Sequence, residues 1–101
     1  MDRKYALAPA IVAQIAAFAR QCGLEKVILF GSRARGDNRE RSDIDLAVSG
    51  GQVARFSIDL NETDAVRTLL MFDVVSLDDP VSDKLQAEIA RDGILLYAKA
   101  G

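Results

Sequence analysis

A chain of 101 residues, half of them apolar and 28% charged, is sized for one small domain around one core. Its net charge of −2 and pI near 5.0 argue against general nucleic-acid binding, which needs a basic face. With no histidine and one cysteine it excludes Ser-His-Asp and Cys-His nucleophiles, zinc–histidine centres, thiolate clusters and an intrachain disulfide.

Any catalysis must therefore run on carboxylates, Lys, Arg, hydroxyls or a bound metal. The N-terminus carries no basic–apolar–small leader pattern, and no apolar run approaches the ~20 residues of a membrane span. A cytoplasmic protein with no membrane contact is the expectation. Charge is uneven: Arg33, Arg35, Arg39 and Arg41 crowd one short segment, while acids dominate from Asp59 to Asp83.

In chain order, residues 8–22 read as an amphipathic helix. Ile11, Val12, Ile15, Phe18, Ala19 and Cys22 share one stripe, with Gln14 and Arg20 off it. Pro9 suits the first turn, where its missing N–H costs nothing, and Gly23 suits the stop. Cys22 is then a small core residue. Val27-Ile28-Leu29-Phe30 is an apolar run too short for a helix and reads as a buried strand. Gly31 to Ser42 is polar and arginine-rich and opens on a small-residue turn. Ile44 to Val48 is a second strand, ended by Ser49-Gly50-Gly51.

From Gln52 to Asp64 neither period fits cleanly, and a short helix is preferred. Leu69 to Leu77 reads as a third strand with Asp73 in its middle, broken by Pro80. Ser82 to Asp92 is a helix with a Ser/Asp start, Leu85 and Ile89 inward, and Gly93 as its stop. Ile94-Leu95-Leu96-Tyr97 is a fourth strand. No internal repeat or second domain is visible, so residues 1–101 are read as one domain.

Three features carry chemistry. A glycine at Gly31 lets backbone approach a ligand with no Cβ in the way, and Ser32 adds a hydroxyl donor. If a short helix starts there, its free N–H groups make the turn an anion site. Second, Asp43 and Asp45 stand two apart in a strand, so both leave one face while Ile44, Leu46 and Val48 point into the core. Paired carboxylates repel unless a cation sits between them, and oxygen-only ligands suit Mg²⁺ or Mn²⁺. Third, Asp73 interrupts an apolar strand, where a carboxylate is costly to bury without a partner. If that strand lies beside residues 44–48, Asp73 completes a three-carboxylate cluster able to hold two metal ions. Each feature has a bland reading alone: a common strand-end turn, two solvated acids, an edge-strand acid facing water.

Together they resemble the polymerase-β-like nucleotidyltransferase superfamily and, at this length, its minimal (MNT) branch. The resemblance rests on Phe30-Gly31-Ser32-Arg33-Ala34-Arg35-Gly36, then Ser42-Asp43-Ile44-Asp45-Leu46-Ala47-Val48, with ten residues between Ser32 and Asp43. Phe72-Asp73-Val74-Val75-Ser76-Leu77 and Asp92-Gly93-Ile94-Leu95-Leu96-Tyr97 extend it over nearly the whole chain, and the match is weakest over 52–64.

The resemblance implies an α/β chain of the α+β type: a small mixed or antiparallel sheet of about four strands flanked by helices. It implies that Gly31 and Ser32 bind a triphosphate and that Asp43, Asp45 and Asp73 ligate Mg²⁺ or Mn²⁺. Asp73 would also help deprotonate the attacking hydroxyl. AMP would pass from ATP to a hydroxyl, with release of pyrophosphate. Arg33 and Arg35 are the next candidates for phosphate, with solvent or an acidic partner surface as the alternatives; Arg39 and Arg41 read as loop surface, Lys84 and Arg91 as helix-face charges. Proteins resembling this one are antitoxins paired with a small helical HEPN toxin, so a hetero-oligomer is implied, with AMP added to a tyrosine of the toxin. Two further readings stay open: a non-catalytic antitoxin acting by contact, and a nucleotide sensor that binds Mg-ATP without turnover.

Overall fold

Among the described residues eight elements follow one another. They are α1 (Pro9–Gln21), β1 (Lys26–Phe30), α2 (Ser32–Arg35), β2 (Ile44–Ser49), α3 (Val53–Glu62), β3 (Phe72–Ser76), α4 (Asp83–Asp92) and β4 (Ile94–Ala98). The computed structural model describes residues 7–36, 43–62 and 71–99. Every strand and helix read from the sequence is present, the helix preferred for 52–64 included. The third strand is narrower than expected, since Leu77 already lies in a turn and positions 69 and 70 fall outside the described residues. Arg39 and Arg41 also lie outside them.

The strands form one mixed sheet in the order β3-β2-β1-β4. β1 runs antiparallel to both β2 and β4, whereas β2 and β3 are parallel. A parallel pair cannot be joined by a tight hairpin, and α3 lies in the connection that this pairing requires.

One sheet face packs Val27, Leu29, Ile44, Leu46, Val48 and Phe72 against Ile15 and Ala19 of α1 and Phe56 and Leu60 of α3. Cys22 is buried in the same cluster, as its place in the stripe predicted. The other face carries a smaller core of Phe30, Ala47 and Ile89, flanked by Ile28, Val75 and Leu85. Burial on both faces is why β1 reads as an unbroken apolar run rather than an alternating one.

Helix α4 covers that second face. The Ser82 hydroxyl accepts the Leu85 N–H at 3.2 Å, which caps the helix start. Gly93 ends it in extended backbone (φ −64°, ψ 139°) rather than a left-handed turn. What requires a glycine there is space: a Cβ would overlap the Ile89 carbonyl oxygen and lie 2.8 Å from Ile28 Cγ2. The helix therefore passes directly into β4 while lying close against β1.

Candidate active site

The site grows from the end of β1. Gly31 leaves the strand at φ 79°, ψ −159°, and its carbonyl accepts the N–H groups of both Ala34 and Arg35 at 3.1 Å. Gly36 closes the turn, its N–H donating to Ser32 O at 2.8 Å. The expected short helix is thus real, one turn long, with Ser32 at its first position. The leading N–H groups of any such turn have no partner inside it.

The antiparallel register sets Asp45 opposite Phe30, immediately before that turn. Its carboxylate lies against Gly31, where any Cβ would overlap Asp45 Oδ2. On the other side, the parallel register sets Asp45 beside Asp73. The condition for a carboxylate cluster, adjacency of the second and third strands, is met. Asp43 stands one residue before β2 and is exposed, as is Asp73, while Asp45 is half-buried.

Electrostatics bind these groups into one unit. The Asp45 carboxyl is pushed up to about 6, first by burial and then by the negative charges of Asp73, Asp43 and Glu88; Arg35 pulls the other way. Such a crowd of oxygen donors is chemically suited to a hard divalent cation, which would relieve the repulsion. Among the described residues no three carboxylate or Cys side chains are already gathered as a metal cage. A cation would have to draw the exposed Asp43 and Asp73 inward toward Asp45.

The two arginines differ. Arg33 is only 7% exposed and, with Ala34, is one of the two buried residues of α2. Arg35 reaches α4, its Nη1 lying 3.3 Å from Asp92 Oδ2 and 3.7 Å from Glu88 Oε2. The acidic surface it meets here is formed by α4 of its own chain. Replacing Arg35 with Gln should make Asp45 titrate at still higher pH, followed by carboxyl ¹³C chemical shifts. An unmoved titration would mean that Arg35 and Asp45 are not coupled.

Glu88 and Asp92 were not singled out from the sequence. The signal was present: each sits three residues after an inward apolar position, Leu85 and Ile89, on the edge of the buried stripe. What was missing was knowledge that this stripe lies on the acidic face of the sheet.

The family and the fold have counterparts among known proteins. Residues 13–100 match the profile of the family described as polymerase beta, nucleotidyltransferase. Over 52 residues the chain is 44% identical to a Methanocaldococcus jannaschii protein provisionally named a protein adenylyltransferase. That stretch is 52% of this chain and 48% of the relative, so the chain spans about half the length of the curated relative it matches. Among solved structures, a toxin–antitoxin complex with AMP-PNP superposes with a TM-score of 0.69 at 25% identity, over 87% of this chain and 73% of that one. A tri-AMPylated Shewanella oneidensis HEPN toxin in complex with MNT antitoxin gives a TM-score of 0.61 at 22% identity, over 88% and 71%. The second likeness is one of fold alone. Among the described residues no helix is long and apolar enough to cross a membrane.

Proposed function

Because the chain belongs to the polymerase beta nucleotidyltransferase family, we propose that it transfers AMP from ATP to a protein hydroxyl and releases pyrophosphate. One observation carries the reading: Asp45 is pressed against the Gly31 turn on one side and aligned with Asp73 on the other. A triphosphate held at the turn would lie next to the carboxylates, with no further element between them.

In this reading Gly31 and the leading N–H groups of α2 seat the phosphates, and the Ser32 hydroxyl donates to them. Asp43, Asp45 and Asp73 would hold Mg²⁺ or Mn²⁺, which when bound supplies charge neutralisation at the phosphates. Asp73, exposed at the outer strand, takes the proton of the acceptor hydroxyl. The acceptor oxygen bonds to the α-phosphorus as the bond from that phosphorus to the bridging oxygen breaks, and pyrophosphate departs. Arg35, held by Glu88 and Asp92, braces the turn against α4 and lessens the negative charge around Asp45. No covalent enzyme intermediate is needed, which suits a chain without histidine.

The acceptor we propose is a tyrosine of a HEPN-type helical toxin, with this chain as the antitoxin. The reading is supported by the adenylyltransferase name of the archaeal relative and by the AMP-PNP-bound toxin–antitoxin structure. Incubation of a purified cognate partner with this chain, ATP and Mg²⁺ is expected to raise the partner's mass by one or more AMP units. The Asp43→Ala/Asp45→Ala variant should give no mass shift and no neutralisation. If that variant folds and still silences the partner, contact rather than modification is the mechanism.

A further inference from the structure

We propose that Asn61 is a positioning residue for Asp73, holding the peptide from which that carboxylate springs; the inference rests on Asp73 serving the reaction as proposed above. β3 is the outer strand on its side of the sheet, with β2 as its neighbour. In the parallel ladder Ile44 pairs with Phe72, and the Ile44 N–H donates to Met71 O at 2.9 Å. That pattern turns the N–H and C=O of Phe72 itself away from β2, toward the open edge.

The Asn61 carboxamide takes both groups. Its Oδ1 accepts the Phe72 N–H at 2.8 Å, and its Nδ2 donates to Phe72 O at 3.1 Å. This is the pair of hydrogen bonds that a further strand would supply. The second Nδ2 proton goes to Ser57 O at 3.0 Å, one turn back in α3. The three bonds fix the amide orientation, since a flipped amide would set N–H against N–H and oxygen against oxygen.

The consequence falls on the next residue. The Phe72 carbonyl and the Asp73 N–H belong to one peptide plane, and that plane is gripped from β2 on one side and from α3 on the other. Asp73 is exposed, so its height above the sheet is set largely by its backbone and depends on this grip. Release of the outer half would let the first residues of an edge strand swing, carrying the carboxylate away from Asp45.

The test compares the full chain with Asn61→Ala, Asn61→Asp and Asp73→Asn. Three quantities are read: Mn²⁺ affinity with ATP present, by electron paramagnetic resonance; exchange of the Phe72 amide proton; and the melting temperature. Asn61→Ala is expected to weaken Mn²⁺ binding about tenfold, as loss of an outer support does, and to speed Phe72 exchange about tenfold or more. Asn61→Asp keeps the acceptor for the Phe72 N–H and loses the donor to Phe72 O, so it should also weaken Mn²⁺, and it serves if the alanine variant does not fold. A purely structural Asn61 would lower the melting temperature and leave Mn²⁺ affinity at the parent value in either folded variant, which overturns the inference. Failure of the parent chain to bind Mn²⁺, or an unchanged Asp73→Asn, would instead overturn the underlying reading of the site.

Discussion

Asp45→Asn is expected to do two opposite things: abolish nucleotidyl transfer and stabilise the metal-free fold at neutral pH. Loss of one preorganised charge at a reacting phosphate costs on the order of 10²–10³-fold in rate, and this carboxylate lies against the turn and feels the charge of the acid on the neighbouring strand. The gain in stability follows from its titration. In the fold the carboxyl is pushed up to about 6 from an ordinary 3.8, so the native state binds its proton more tightly than the unfolded chain does. The contribution of Asp45 to stability should be fullest below about pH 4, fall as the pH rises through the window from 4 to 6, and level off above it. Asparagine has nothing to ionise and removes that slope. Because Asp45 is only half-buried, solvent screening reduces the gain to on the order of 1–2 kcal/mol, several degrees of melting temperature for a domain of this size. Thermal melts of both proteins between pH 4 and pH 8, without divalent metal, would show the curves meeting near pH 4, separating between pH 4 and 6, and staying apart by a constant amount above that. Identical curves at pH 7.5 would mean that Asp45 is neither desolvated nor crowded by charge, and a variant that still transfers AMP would remove Asp45 from the machinery.

The trade of stability for chemistry at Asp45 was half legible in the sequence. The spacing of Asp43 and Asp45 predicted a shared face; β2 buries Ile44, Leu46 and Val48 while leaving Asp45 half-buried, and Asp43, one residue before the strand, adds its charge to that of Asp45. The strength of the coupling was not readable, because it depends on which strand lies next door and in what register. Only the pairing of Asp45 with Asp73 turns three separate acids into one electrostatic unit. The α3 segment shows a different limit. Phe56 and Leu60 are four apart and buried, as a helix requires, but Ile58 between them is 55% exposed and blurred the period. Arg35 is a third case. Its charge suggested phosphate, solvent or an acidic partner surface, whereas the acids that hold it belong to its own chain, distant in sequence and near only because α4 crosses the second face of the sheet. Local pattern gave the elements; pairing and cross-sheet packing decided what the charged residues meet.

Gly31→Ala should damage the site itself through a single added methyl group, and Gly23→Ala is its natural control. Both glycines have positive φ, 79° and 70°. At Gly23 no heavy atom lies within 4 Å of an added Cβ, so alanine there pays only the left-handed backbone cost of about 1–2 kcal/mol. Melting should drop and activity at a permissive temperature should not. At Gly31 the backbone (φ 79°, ψ −159°) lies in a region that is nearly glycine-only, at a cost on the order of 1–3 kcal/mol, and the new Cβ would also overlap the Asp45 carboxylate. Either the turn or the carboxylate must move, and a displacement of about 1 Å at a reacting site is enough for a 10²-fold loss of rate. Circular dichroism can establish a temperature at which both variants are folded, and transfer measured there separates them. A double-mutant cycle isolates the clash itself. In an Asp45→Ala background the atom that the Cβ would strike is gone, so Gly31→Ala should cost less stability than in the parent, with only its backbone cost remaining. If the two substitutions prove additive, the turn and the carboxylate are not in contact, and a triphosphate held at Gly31 would not be delivered to Asp45.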